Sequence, residues 1–151
     1  MGYEWLLFFH LLAGMIWLGG IAVLAALATL TARRHDAGEV ARLTATLRRL
    51  GPIVLAPMPV SVLAFGVALV VDGSEWSFGQ AWVEAGLGLF TAVFVLGIGH
   101  QARAAIGAER AAVEGRAADA SRLLGRWALG AWVLLALLVA AVADMVFKPG
   151  F

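Results

Sequence analysis

The chain has 151 residues, of which 62% are hydrophobic and 14% charged, and its mean hydropathy is +0.91. A water-soluble domain is about half apolar and about a quarter charged, so this excess lacks a polar cover and its natural solvent is lipid. The formal net charge of +1 names no partner by itself. The absence of cysteine excludes disulfides, thiolate metal sites and cysteine catalysis.

Four apolar runs follow in chain order, at about 3–32, 51–71, 79–101 and 127–147, each near or above the roughly 20 residues that cross about 30 Å of hydrocarbon. In lipid the backbone must satisfy its own hydrogen bonds, so each run is expected to be a helix. The first run has no basic segment before it and is too long for the apolar core of a cleavable signal, so it reads as a retained anchor. Segment 33–50 is rich in Ala, Arg, Leu and Glu and is expected to be helical. Pro52, Pro57 and Pro59 near the start of the second run predict a kink, or a late helix start near Val60. A short connection carrying Asp72 and Glu75 leads to the third run. Segment 102–126 repeats the helix-forming composition of 33–50 before the fourth run begins.

Every arginine lies in one of the two segments 33–50 and 102–126. Basic residues resist translocation, which puts both segments in the cytoplasm and both chain ends outside. The arginines are interspersed with acids, so anionic lipid headgroups, not nucleic acid, are their expected partners. Trp5, Trp76, Trp82 and Phe151 fall at the expected outer boundary and Trp127 at the inner one, as interface anchors. The fold expected is a single-domain, all-α, integral membrane four-helix up-down bundle, N-out and C-out. It would be a multi-pass protein of the inner (cytoplasmic) membrane, with small residues at helix contacts and Leu, Val and Phe facing lipid.

Ionisable residues inside a span are costly, and each is a functional candidate. His10 lies about seven residues, or roughly 10 Å, inside the first run, with Gly14 and Trp17 on its helix face. The imidazole reads either as a haem or metal ligand or as a hydrogen-bond donor to a neighbouring helix. Glu84, Asp144 and Lys148 fall in the same outer layer, where the acids would tune His10 or snorkel to the interface. Lys148 follows Asp144 at i+4, so the two are placed to pair. Met145 is the outer-layer candidate for a second axial haem ligand. His100 lies about 20 residues, or roughly 30 Å, from that layer, so it belongs to a separate site or to the inner interface. No phosphate loop, dinucleotide fingerprint, zinc-protease motif or hydrolase elbow is present, so no nucleotide cofactor is expected.

The first helix, His10-Leu-Leu-Ala-Gly-Met-Ile-Trp17-Leu-Gly19-Gly20, resembles the opening helix of the CopD-like group of membrane proteins. That group includes the copper-resistance protein CopD, the HemJ-type protoporphyrinogen oxidases and several uncharacterised four-helix families. The closing Asp144-Met-Val-Phe-Lys148-Pro149-Gly150 resembles the end of one of these, a predicted integral membrane family of unknown function. The resemblance implies a four-helix bundle with His10 at the position of the first-helix histidine linked to haem in HemJ-type proteins. Gly99-His100 resembles a histidine near the end of their third helix. HemJ-type proteins also carry a lysine in the third helix, whereas Lys148 is the only lysine here, which argues against protoporphyrinogen oxidation.

Two functions are therefore expected from the sequence. One is a redox protein holding b-type haem, or less readily copper, through His10. Trp17, Glu84, Asp144, His100 and Met145 would be its accompanying residues, and a membrane redox partner or a second copy its neighbour. The other is a non-enzymatic membrane subunit or interaction protein in which His10 is structural.

Overall fold

The computed structural model describes residues 2–150. Phe151, expected as an outer anchor, lies outside the described residues. The helices are α1 (Tyr3–Arg34), α2 (Ala37–Leu50), α3 (Pro57–Asp72), α4 (Ala81–Leu96), α5 (Ala102–Val113) and α6 (Ala117–Phe147). A π-helical turn at Gly51–Leu55 joins α2 to α3, and a second at Gly97–Gln101 joins α4 to α5. Among the described residues this makes four continuous helices long and apolar enough to cross a membrane. The protein is an all-α, four-helix, multi-pass membrane bundle.

The boundaries have local causes. His35 takes a left-handed conformation at the end of α1, with φ of 54°. Asp36 then caps α2 by accepting hydrogen bonds from Gly38 N at 2.7 Å and Glu39 N at 3.1 Å. The α5–α6 turn uses Gly115 at φ of 73°, with Gly115 N bonded to Ala112 O and Arg116 N to Ala111 O. This is a glycine-terminated helix end that satisfies the last carbonyls.

Of the two outcomes expected from the prolines, a kink or a late helix start, the structure excludes the late start. The helix does not begin near Val60; it runs from Ala37 through the wide turn at Gly51–Leu55, and Pro57 opens α3. Proline lacks an N–H and cannot continue the i→i−4 ladder, and a wider turn absorbs that loss without ending the helix.

The core is built from small residues. Ala25, Ala28, Ala108, Ala120 and Ala131 are fully enclosed, and Val40 and Leu124 are the largest side chains with no exposure. Close approach of backbones is how helices associate in lipid, where the hydrophobic effect gives little drive. Helix α6 is central: it packs on α1, α4 and α5, while α3 packs on α1 and α2 packs on α5. Helices α3 and α4 make almost no contact with each other. Trp127 is 6% exposed within this core, so it is a packing residue and not the interface anchor the sequence suggested. Its position on α6 is covered from several sides, which the hydropathy pattern alone does not reveal.

Candidate functional site

His10 belongs to the stripe His10, Ala13, Trp17, Ile21, Ala25 and Ala28, the buried residues of α1, which recur at helical spacing. Its Nδ1 lies 3.0 Å from the carbonyl oxygen of Val62 on α3. A carbonyl only accepts, so Nδ1 carries the proton and donates it, and in the neutral ring Nε2 keeps its lone pair. The ring reaches α3 because residue 66 is glycine. A Cβ there would sit 3.1 Å from His10 Cε1 and 3.4 Å from Nδ1. Nothing in the sequence around His10 marks Gly66 as its neighbour; only the pairing of α1 with α3 does so. Gly14, which the sequence placed on the helix face of the histidine, leaves open space: a Cβ there would meet nothing within 4 Å.

The other outer-layer candidates are distributed over different contacts. Trp17 is buried, with its ring 6.2 Å from Phe90 on α4 in an edge-on arrangement. Asp144 turns its carboxylate to α4, where a Cβ on Gly86 would lie 3.3 Å from Oδ2 and 3.9 Å from Met145 Cε. Asp144 and Met145 are thus brought together against Gly86, while His10 faces α3. Glu84 is exposed on α4. Asp144 Oδ2 and Trp82 Nε1 are both buried and have no hydrogen-bond partner among the described residues.

Lys148 does not pair with Asp144. It adopts a left-handed conformation at the end of α6, its N–H bonds to Asp144 O at 2.8 Å, and its ammonium lies 3.8 Å from the centre of the Trp76 ring and 5.6 Å from that of Trp82. A change of backbone hand at the helix end turns the side chain off the i, i+4 line, and the aromatic faces attract the cation. Trp76 also donates Nε1–H to Tyr3 Oη at 3.3 Å, which ties the α3–α4 connection to the start of α1.

His100 stands at the other end of the bundle, in the π-helical turn that closes α4. A Cβ on Gly130 of α6 would be 2.8 Å from His100 Nδ1 and 2.8 Å from the amide end of Gln101. Gln101 is 7% exposed; its amide nitrogen faces Trp127 O and its oxygen faces Ala131 N, each at 3.0 Å. The side chain therefore sits on the backbone of α6 where glycine leaves room. The sequence reading missed Gln101, since a glutamine at the end of an apolar run looks like a boundary residue. The Gly130 on the facing helix was the available signal.

Among the described residues no three His, Asp or Glu side chains are grouped to hold a metal ion. The His10 ring is oriented by a carbonyl, as metal-binding imidazoles commonly are, and this leaves Nε2 as its acceptor nitrogen. Of the residues expected to accompany His10, Trp17 meets Phe90, Asp144 and Met145 meet Gly86, Glu84 is exposed and His100 stands at the other end of the bundle.

A family model described as predicted integral membrane protein (DUF2269) matches residues 4–149. The chain belongs to the DUF2269 family. No curated protein and no solved structure matches it. The family description carries membrane insertion and nothing about copper or haem. The likeness to the CopD-like group therefore stays with the short motif around His10.

Proposed function

We propose that the chain is a non-enzymatic membrane subunit or interaction protein in which His10 fastens α1 to α3. The observation that carries this reading is the His10 Nδ1–Val62 O hydrogen bond, with the ring seated over Gly66. A polar bond between helices holds their register where lipid supplies no alternative partner. In this reading the Arg-rich end is cytoplasmic, both chain ends are outside, and the host is the inner membrane. That end carries ten arginines and five carboxylates, while the opposite end carries five carboxylates and Lys148. A cytoplasmic signal from a reporter fused at the C-terminus would overturn this orientation.

A second reading is favoured by the free lone pair of Nε2. There His10 is an axial ligand of b-type haem, or less readily of copper, and the protein serves a membrane redox partner. One experiment separates the two. Visible spectra of the purified protein, oxidised and dithionite-reduced, are compared for the wild type and His10→Ala after expression with haem supply. A colourless wild type with a less stable His10→Ala variant supports the fastening role. A Soret band that disappears in a well-folded His10→Ala replaces it with the haem reading.

A further inference from the structure

The Arg-rich end holds a second feature, unrelated to His10. A groove of about 750 Å³ runs between the α4–α5 helix and α6, with Arg103, Arg126 and His100 at one end and Ala92, Leu96 and Leu137 along its apolar floor. All three basic side chains are exposed.

Charge accounting shows what the two arginines lack. The five carboxylates of this end are already engaged. Asp36 caps α2 and Glu39 pairs with Arg34 at 2.9 Å. Glu109 pairs with Arg48 at 3.2 Å, Glu114 with Arg116 at 2.6 Å, and Asp119 with Arg116 and Arg122 at 2.7 and 2.8 Å. No ion pair among the described residues involves Arg103 or Arg126, and no acid lines the groove.

Length then restricts the occupant. From residue 103 to residue 92 a helix rises roughly 16 Å at 1.5 Å per residue. That is about one leaflet of a hydrocarbon core about 30 Å thick. A small anion would use only the basic end, whereas a molecule with an anionic head and a chain one leaflet long matches both parts.

We propose that this groove binds one anionic phospholipid, its phosphate held by Arg103, Arg126 and His100 and one acyl chain lying along the α4–α6 floor. The π-helical turn at Gly97–Gln101 contributes directly, because His100 and the groove residue Gly99 both belong to it. Gly99 also keeps the floor open: a Cβ there would meet nothing within 4 Å.

The test is a titration of the full-length protein in detergent with dioleoyl phosphatidylglycerol, followed by native mass spectrometry. Dioleoyl phosphatidylcholine and inorganic phosphate serve as the other two probes. The expected result is one tight site for phosphatidylglycerol, weakened about 30-fold in Arg103→Ala/Arg126→Ala, since each cation near an anionic headgroup contributes about 1 kcal/mol. The charge-matched Arg42→Ala/Arg49→Ala variant, which alters exposed arginines of α2, is expected to bind within about threefold of the wild type. Gly99→Leu, which keeps every charge and fills the floor, is expected to weaken lipid binding as well. Equal binding of phosphatidylcholine, an equal loss in the α2 variant, or displacement of the lipid by millimolar inorganic phosphate would each overturn the proposal. Unchanged binding in Gly99→Leu would overturn it too.

Discussion

The two ends of the bundle hold together by different means. At the Arg-rich end α2 and α5 close against each other and against α6, and the enclosed residues are Val40, Thr44, Ala108, Ala120 and Leu124. At the opposite end α3 and α4 stand apart, and only 6% of the most apolar stretch of the α2–α3 helix is buried, against 28% for α1 and α6. The first end resembles a small water-soluble four-helix core, with alanines inside and charges outside. The second depends on α1 and α6 for cohesion and on single contacts such as His10 with Val62. Where water is the solvent, burial organises the helices; where lipid is, a few close approaches and polar bonds do so.

This contrast predicts a graded mutational response, measured as unfolding free energy in detergent. Leu124→Ala empties a fully enclosed site at the Arg-rich end and should cost about 2–5 kcal/mol. Leu63→Ala, on the exposed side of α3, should cost much less. Similar losses at the two positions would mean that the ends are packed alike.

Gly130→Ala comes next. Its methyl would press on His100 and Gln101 at 2.8 Å, for an overpacking cost of about 1–3 kcal/mol. Gln101→Leu should cost less, because Trp127 O and Ala131 N stand at i and i+4 and can bond to each other within α6. A larger loss in Gln101→Leu would mean that the amide is the principal tie.

At the lipid-exposed end, His10→Leu removes one interhelical bond and should cost about 1 kcal/mol. The Val62 carbonyl keeps its place in the ladder of α3. A cost above about 3 kcal/mol would show that this end relies on His10 far more than one hydrogen bond allows.

The smallest effect is expected from Arg48→Ala. This variant removes the exposed 3.2 Å pair with Glu109 between α2 and α5, worth about 0.2–1 kcal/mol and weakened by salt. A salt-independent loss would point to packing by the arginine stem instead.

How far the fold was legible follows from the same physics. The apolar runs are read from hydropathy alone, because every backbone group in lipid must be satisfied within its helix. His10 stood out because an ionisable group in such a run is rare. Its partner did not, since a backbone carbonyl has no side-chain signature and Gly66 is one of 18 glycines. Trp127 and Lys148 were misplaced for a related reason. Composition locates a residue along the membrane normal, but not around the helix or beyond a change of backbone hand.

The turn at Gly97–Gln101 has one more consequence, for chain length. A π-helical turn is an α-helix that has taken in one extra residue while the segments on either side keep their faces. Removing Ile98 would give a regular helix in which α4 and α5 still present the same sides to α6, with His100 and Gln101 re-aimed. The same deletion in the middle of α5 would rotate everything beyond it by about 100°. Sequences of this family should therefore tolerate a one-residue gap at this turn and not within the helices that flank it.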